Sequence, residues 1–155
     1  MAISSTVGTK VFIGPVTTSD DPATYTSLTY VEIGEVESIG EFGDEASAIT
    51  FTSLSDSRVR KLKGARDAGT VAVTVANDPT DAGQEDAIDA EKSKATFAFK
   101  VVAADNPDGT EDDGSAFYFG AKIMSARVNP GAANAVITRT FSLGIDTAIH
   151  EVPAA

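Results

Sequence analysis

The chain has 155 residues, a formal net charge of -11 at pH 7 and no cysteine, which fits one ordinary domain stabilised by burial, backbone pairing or association without disulfides. Because 23 acidic residues outnumber 12 basic ones, the composition argues against a protein that grips nucleic acid, which is held by clustered cations. The N-terminus, MAISSTVGTK, has no charged start followed by an apolar core, so a secretion signal is not expected and synthesis in the cytoplasm is the default.

The first part of the sequence predicts strands separated by polar connections. Residues 1–8 are small and polar, which is typical of a flexible arm, and residues 10–13 read as a short strand. Asp, Pro and Ser in TTSDDPAT predict a loop over residues 17–24. The next segment, YTSLTYVEI, is rich in Thr, Tyr, Val and Ile, so it predicts a long strand over residues 25–33.

A glycine-rich, acidic segment follows over residues 34–47. It contains three Gly and five acidic residues, a composition typical of an extended, mobile hairpin loop. Its Ile39 and Phe42 are expected to be exposed to whatever surface lies beside them. The strand predicted after it, over residues 48–54, alternates between two faces, so one side can face a core and the other solvent.

A compact basic segment comes next. Five of the 12 Lys and Arg residues fall within nine positions: Arg58, Arg60, Lys61, Lys63 and Arg66. In one interpretation the segment is a solvated strand and turn with local ion pairs to Asp56 and Asp67. In the other it is an intersubunit surface that meets acidic residues of a neighbouring copy, such as those within 35–45 or 105–113. Opposite charges on one molecule favour head-to-tail contacts, which produce rings or open stacks.

A strand and a helix are predicted after the basic segment. Val alternates over residues 70–76, which indicates a strand with one buried face. Asp78 is a suitable N-cap and Pro79 suits the first helical position, where a missing N–H costs nothing. The sequence therefore predicts a helix over residues 79–91, with a thin apolar face that would lie against a sheet.

The last third predicts a three-stranded meander and a tail. Its strands are expected over residues 96–103, 117–128 and 135–145, where alternating Phe, Val and Ile side chains should pack together. Residues 147–155 are expected to form a second flexible arm. These patterns favour one mainly β domain that spans residues 1–155.

No constellation in the sequence favours enzymatic chemistry. His150 is the only histidine and lies in the tail, so a catalytic triad or a zinc site lacks its usual residues. The acids of the 105–115 loop do not follow a calcium-loop register; they are Asp105, Asp108, Glu111, Asp112 and Asp113. The two Gly-containing segments, KGARDAGT and IGEFGDE, lack a phosphate-loop pattern. Catalytic residues, metal ligands and cofactors are therefore not expected.

The order of these segments resembles the tail tube family of long-tailed, non-contractile bacteriophages. The resemblance runs through TVGTKVFIGP, RVRKLKGARDAGTVAVTVAND, the Pro-started helix and the meander, and RKLKGARDAGT before the Val strand is its most specific part. It implies a tail-tube fold, which is a small antiparallel β-sandwich or partly rolled sheet with one α-helix. Subunits of this family form hexameric rings that stack into the hollow conduit through which phage DNA passes during ejection.

The resemblance also implies partners and a location. The chain would associate with itself and with tail tip, tape-measure and tail terminator proteins, in a virion tail assembled in the host cytoplasm. DNA would pass without specific binding, and no membrane would be involved. Because a close-fitting wall must not attract phosphates, an acidic lining is expected.

The resemblance suggests two further groups of residues. The candidates for an acidic lining of the lumen are Glu32, Glu35 and Glu37. The segment 34–47 resembles the long inter-ring loop of the family, with these candidate contact residues: Ile39, Glu41, Phe42, Asp44 and Glu45. The basic segment from Arg58 to Arg66 would then be the intersubunit surface.

Two other functions remain open on the sequence alone. The first is a β-sandwich that binds a ligand or decorates a virion surface without polymerising. The second is a hydrolase with paired carboxylates on a β-scaffold, which the absence of Trp and the presence of only three Tyr disfavour.

Overall fold

A computed structural model describes residues 3–17, 19–105 and 114–154 of the chain. The strands in this part are β1 Lys10–Val16, β2 Val31–Ile33, β3 Val36–Ile39, β4 Glu45–Thr52, β5 Val59–Asp67, β6 Thr70–Ala76, β7 Phe97–Val102, β8 Ala116–Asn129, β9 Thr138–Ile145 and β10 His150–Val152. The helices are α1 Pro22–Ser27 and α2 Ala82–Lys92. Neither of these helices has the length and apolar content to cross a membrane.

Most of the strands form one rolled antiparallel sheet. Its order is β2-β1-β7-β8-β9-β6-β3, and β10 pairs with the start of β8. β2 and β3 lie at opposite ends of this order although only Gly34 and Glu35 separate them in sequence, so the sheet curls until its two edge strands meet at a seam. The predicted mainly β, partly rolled fold is confirmed, with a second short helix in addition to the predicted one.

The core fills the inside of the roll. Val71, Val73 and Val75 alternate inward on β6, as the sequence predicts, and all three are buried. Phe99 and Phe119 stack across β7 and β8 with ring centroids 5.9 Å apart. The period of two along each strand therefore sends the predicted apolar faces to a common interior.

Helix α1 corrects the sequence prediction for residues 17–33. The predicted loop is wrong from Pro22 onwards and the predicted long strand is wrong, because residues 22–27 are helical and only Val31–Ile33 pair as β2. Asp21 caps the helix by accepting a hydrogen bond from Ala23 N, and Pro22 occupies its first turn. These start signals outweigh the β-propensity of the segment. The helix also buries Tyr25 against the outer face of β7 and β8.

Helix α2 seals the seam of the roll. Its N-cap is Asp81 and not the predicted Asp78, because the Asp81 carboxylate accepts from Gln84 N while Asp78 holds Thr80 in the preceding turn. The side chain of Gln84 is buried and donates to the carbonyl oxygens of Gly34 and Ala76. The helix thereby ties the β2–β3 connection to the end of β6.

Half of the loop predicted over residues 34–47 is strand. Val36–Ile39 forms β3 and pairs with β6, and Glu45 already belongs to β4. The register of β3 against β6 shifts between Val36 and Ser38, and this irregularity accommodates the polar residues of the edge strand. The predicted C-terminal arm is also paired in part, since His150–Val152 forms β10 beside β8.

Candidate functional site

Strands β4 and β5 form a hairpin that is separate from the rolled sheet. Their register runs from Glu45 opposite Asp67 to Thr52 opposite Val59, and they make a two-stranded sheet of their own. Residues 40–44 and Ala68–Gly69 connect this hairpin to the body, which it leaves next to the start of β6. We call it the β4–β5 hairpin.

The base of the hairpin is fixed by contacts within the chain. The Phe42 ring lies 5.4 Å from the Phe117 ring and 5.9 Å from the Phe119 ring, measured between centroids. Arg66 forms a 3.1 Å ion pair with Asp44. The hairpin is therefore anchored at its root by an aromatic cluster and a charge pair.

The turn of the hairpin is held by Asp56. Its carboxylate accepts from Arg58 N at 3.1 Å and from the Arg60 guanidinium at 2.6 Å. The Arg60 bond, followed by the Arg58 backbone bond, lowers the pKa of Asp56. Ser57 takes a left-handed conformation with φ of 55°, which lets the chain reverse at this point.

One face of the hairpin is apolar and packs against nothing in the described chain. The register places Ile49 beside Leu62 and Phe51 beside Arg60 on that face, and 53% of Ile49, 61% of Phe51 and 63% of Leu62 is exposed. An isolated two-stranded hairpin is marginal in water, and an exposed apolar strip of this kind marks an interaction surface. The apolar face of the hairpin is therefore a candidate interaction surface.

The basic segment lies on this hairpin. Arg58 is in the turn and the other four residues are on β5: Arg60, Lys61, Lys63 and Arg66. Arg60 and Arg66 have acidic partners within the chain, so the predicted local pair to Asp56 is present. The Asp67 carboxylate instead accepts from Gly69 N. Within the described ranges, no ion pair is found for Lys61 or Lys63, which leaves two exposed cations for another molecule.

The three carboxylates predicted for the lumen come together at the seam of the roll. Glu32 lies on edge strand β2 opposite Phe12, Glu35 occupies the connection with φ of 58°, and Glu37 lies on edge strand β3. All three are exposed. Their side chains can therefore face solvent or the bore of a tube. All three lie at the same place in the fold, which is the seam.

The five inter-ring candidates divide into two groups. Ile39 and Phe42 are half-buried and pack against the core of their own chain, so the expectation that they are exposed is wrong. The reason is that β3 continues the sheet and the Phe42 ring fills a gap beside Phe117. Glu41 and Glu45 are exposed beside the hairpin base, where Asp44 holds Arg66.

Sequence reasoning missed the hairpin as a unit. The available signal was the alternation over residues 48–54 followed by a Ser-Asp-Ser turn and a second β-prone run, a pattern typical of a hairpin with a longer loop. The basic segment is strand and turn, as one of its two interpretations predicted. The pairing of this strand with β4 was not predicted.

Other candidate chemistry has little support in the structure. Across the described residues, no group of three or more His, Asp or Glu could hold a metal ion. His150 Nε2 lies 3.3 Å from Asp20 Oδ1 and its ring is 5.5 Å from that of Tyr25, which makes it part of the β10 contact. In the acidic loop, Asp105 accepts from Ser115, and these members lie outside the described residues: Asp108, Glu111, Asp112 and Asp113.

Solved structures of low sequence identity share this fold. The sheath/tube terminator of an extracellular contractile injection system (PVC) in the extended state has a TM-score of 0.71 and 11% identity, with 98% of each chain covered. The tail of an empty GTA particle has a TM-score of 0.69 and 15% identity, covering 97% of this chain and 99% of that one. The SPP1 tail tube has a TM-score of 0.61 and 19% identity, covering 95% and 76%.

The comparison of sequences gives the family. None of the curated proteins matches the sequence. The family model described as phage tail tube protein, TTP, matches residues 17–149, a range that includes both helices, the hairpin and most of the rolled sheet. This confirms the resemblance carried by RKLKGARDAGT and its surroundings. The chain belongs to the phage tail tube protein family.

Proposed function

We propose that this protein polymerises into stacked hexameric rings that form the hollow tail tube, through which phage DNA passes during ejection. The observation that carries the proposal is the β4–β5 hairpin, whose apolar face is unpacked in the single chain. The sixfold number is supported by the similar GTA tail, which has C6 symmetry. A projecting hairpin with a different receiving surface is heterologous, and such contacts generate closed rings or open helices.

We infer that an acidic bore keeps DNA from sticking. Duplex DNA carries about one charge per 1.7 Å of axis, and electrostatic screening at physiological salt extends over about 8 Å. Six copies of an inward carboxylate would form a ring of negative charge that repels phosphates. Glu32, Glu35 and Glu37 stay our candidates for that ring, supported by their exposure at one seam.

The hairpin base is our candidate for the contact between rings. Glu41 and Glu45 are exposed there, and Asp44 is close by through its pair with Arg66. Ile39 and Phe42 would act indirectly, because they fix the base against the core. The basic residues of β5 would meet acidic side chains of a neighbouring copy, with Lys61 and Lys63 as the cations that no described partner occupies.

Membership of a structural family suggests a non-enzymatic role in the virion. We propose that assembly takes place in the host cytoplasm and that the tube contacts tail tip, tape-measure and tail terminator proteins. A sheath/tube terminator has a fold similar to that of this chain. This similarity supports the proposal that the proteins at the ends of the tube have the same shape as its subunits. DNA would be a passenger without a specific binding site.

The proposal is tested by electron microscopy of the purified full chain over a range of concentrations. We expect tubes with a central channel and sixfold symmetry. In a variant without the hairpin, residues 46–66 are replaced by an Asn-Gly turn that joins Glu45 to Asp67. These two residues are paired neighbours in the hairpin. This variant should remain a folded monomer and form no tubes.

Two outcomes would contradict the proposal. Monodisperse monomers of the full chain at high concentration would favour the rival, a β-sandwich that binds a ligand or decorates a virion without polymerising. Normal tubes from the variant without the hairpin would show that the hairpin is not the assembly element. Circular dichroism of the variant separates loss of assembly from loss of folding.

A further inference from the structure

Two glycines mark the places where the chain passes between the rolled sheet and the β4–β5 hairpin. Gly43 lies before β4 with φ of 154°, and Gly69 lies after β5 with φ of 74°. Residues with a Cβ rarely adopt such positive values, whereas glycine adopts them readily. A Cβ on either residue would meet no atom of the described chain within 4 Å. The backbone conformation, and not close packing, therefore explains glycine at both positions.

At Gly69 the hairpin and the rolled sheet hold opposite sides of the same residue. Its N–H donates to the carboxylate of Asp67 on β5 at 2.8 Å, whereas its carbonyl oxygen accepts from Ile145 N at the end of β9 at 3.0 Å. Rotation about the backbone bonds at the Gly69 Cα therefore turns the hairpin against the sheet without breaking either hydrogen bond. Ala68 packs against the core with only its small side chain, so little apolar contact opposes this rotation.

The same division occurs at Gly43. The residue before it, Phe42, is fixed on the rolled sheet by the contact of its ring with Phe117. The residue after it, Asp44, forms its ion pair with Arg66 of β5. Neither of these contacts spans Gly43, so the boundary between sheet and hairpin falls on this glycine as well.

The residues between the two glycines are joined to each other more than to the rest of the chain. We call residues 44–67 the hairpin arm. Cross-strand pairing of β4 with β5 and the ion pair of Arg66 with Asp44 connect its parts, while in the described chain neither strand pairs with the rolled sheet. A cleft of about 450 Å³ lies between the base of the arm and residues 145–148. The arm therefore has internal connections and room to turn as a unit.

The length of the arm turns a small rotation at its base into a large displacement at its tip. At about 3.3 Å per residue, β4 is about 23 Å long from Glu45 to Thr52. A rotation of about 20° at the base would then move the tip by about 8 Å. Hinges consist of a few residues at the ends of elements that absorb changes in φ and ψ. One such residue on each connection lets the arm turn while its two strands stay paired.

We propose that the hairpin arm pivots as one rigid body about Gly43 and Gly69. The pivot gives the free chain a range of arm angles, and docking onto a neighbouring copy selects one of them. A subunit can therefore reach its place in the tube first and set the angle of its arm afterwards. This role in assembly rests on the proposed tube, whereas the pivot is a property of the single chain.

Distances between pairs of spin labels test the pivot, because the natural chain contains no cysteine. The arm-to-body pair is Thr52→Cys with Asp89→Cys, at exposed positions of β4 and α2. The matched controls are Thr52→Cys with Glu45→Cys inside the arm and Asp89→Cys with Thr26→Cys inside the body, all at exposed positions. Double electron–electron resonance is recorded on the free chain at low concentration and on tubes in which labelled chains are diluted with the natural chain.

In the free chain we expect the arm-to-body distances to spread over about 8 Å or more, while both control pairs give one narrow distance. In tubes the arm-to-body pair should give one narrow distance as well. Gly69→Asn should narrow the spread in the free chain and leave the control pairs unchanged. Asn tolerates a left-handed conformation but lacks the other conformations of glycine, and its Cβ has space at this position.

A single narrow arm-to-body distance in the free chain would overturn the pivot, and tubes formed by that chain would leave the proposed function standing. Broad distances inside the arm would also overturn it, because the hairpin would then be unfolding and not turning. An unchanged spread in Gly69→Asn would overturn the assignment of a hinge to Gly69. Failure of the natural chain to form tubes would overturn the proposed function, while the distances in the free chain would still decide the pivot.

Discussion

At the residue scale, two residues at the start of α2 determine how the roll closes. Gly83 has no side chain where the helix crosses β2, and a Cβ placed there would overlap the carbonyl group of Glu32. Gln84 beside it is fully buried, and its amide bonds to three backbone groups, which are the carbonyls of Gly34 and Ala76 and the N–H of Asp78. The seam is therefore held by a close approach and by hydrogen bonds, beside the apolar packing of Ala87 and Ala90 in the core.

We expect Gly83→Ala to lower the free energy of unfolding by about 2–3 kcal/mol, because backbone on both sides must move to admit the methyl group. Urea unfolding followed by circular dichroism measures this loss. Asp86→Ala, at an exposed position of the same helix, is the control and should change stability by less than about 0.5 kcal/mol. Equal stability of the Gly83 variant and the natural chain would show that α2 does not lie against β2.

Gln84→Leu should cost about 2–4 kcal/mol, because it leaves the carbonyls of Gly34 and Ala76 and the N–H of Asp78 without their partner. Differential scanning calorimetry is a suitable measurement. The neighbouring change Glu85→Gln, at an exposed position, keeps the helix and should be nearly neutral. A stabilised Gln84→Leu variant would contradict this role of the amide.

At the element scale, the hairpin and the rolled sheet differ in how they are stabilised. Strands β6 and β9 share buried Val73 and Phe141, whereas the side chains of β4 and β5 are mostly exposed. We expect amide exchange in the isolated chain to be fast throughout the hairpin and slow in β6 and β9. Hydrogen exchange with mass spectrometry checks this, and hairpin protection equal to that of β6 would mean that the hairpin is already covered in the monomer.

The hairpin turn should respond to acid through Asp56. Its pKa is lowered in the folded chain by Arg60 and by the Arg58 N–H, so the ionised form favours the folded turn. That contribution is present above the ordinary carboxyl pKa of 3.8 and is lost as the pH falls through the lowered value. We expect Asp56→Asn to increase hairpin exchange at pH 7, and the difference from the natural chain to shrink on acidification. A difference that grows on acidification would contradict this assignment.

At the scale of the whole molecule, charge is segregated. Five of the 12 basic residues lie on or beside β5, in a chain with a net charge of -11. Copies should therefore repel at long range and attract only where β5 meets acidic groups. This arrangement favours one docking orientation over nonspecific aggregation.

Charge reversal at Lys61 and Lys63 tests that attraction. Lys61→Glu with Lys63→Glu should slow tube elongation, measured by light scattering and electron microscopy, while the monomer stays folded. Lys92→Glu with Lys94→Glu changes the net charge by the same amount at exposed positions near the end of α2, and it should have a much smaller effect. Similar rates for the two variants would mean that overall repulsion, and not the β5 surface, controls assembly.

The strands of the core were predictable because their signal is local. In β6 the buried Val residues alternate with a period of two, and that period decides which side chains share a face. The helix α2 was predictable for a similar reason, although Asp78 and Asp81 both suit an N-cap and the sequence could not choose between them. The family resemblance also came from contiguous residues, RKLKGARDAGT, and needed no structure.

The sequence by itself determined a mainly β domain, its buried faces, the single long helix and the basic segment. Only the tertiary structure decided that residues 22–27 are helical, that Ile39 and Phe42 pack inward, and that β4 and β5 leave the sheet as a hairpin. These features depend on contacts between residues far apart in sequence, such as Phe42 with Phe117 and Gln84 with Gly34. Local propensity cannot encode such contacts, because their free energy exists only once the roll has closed.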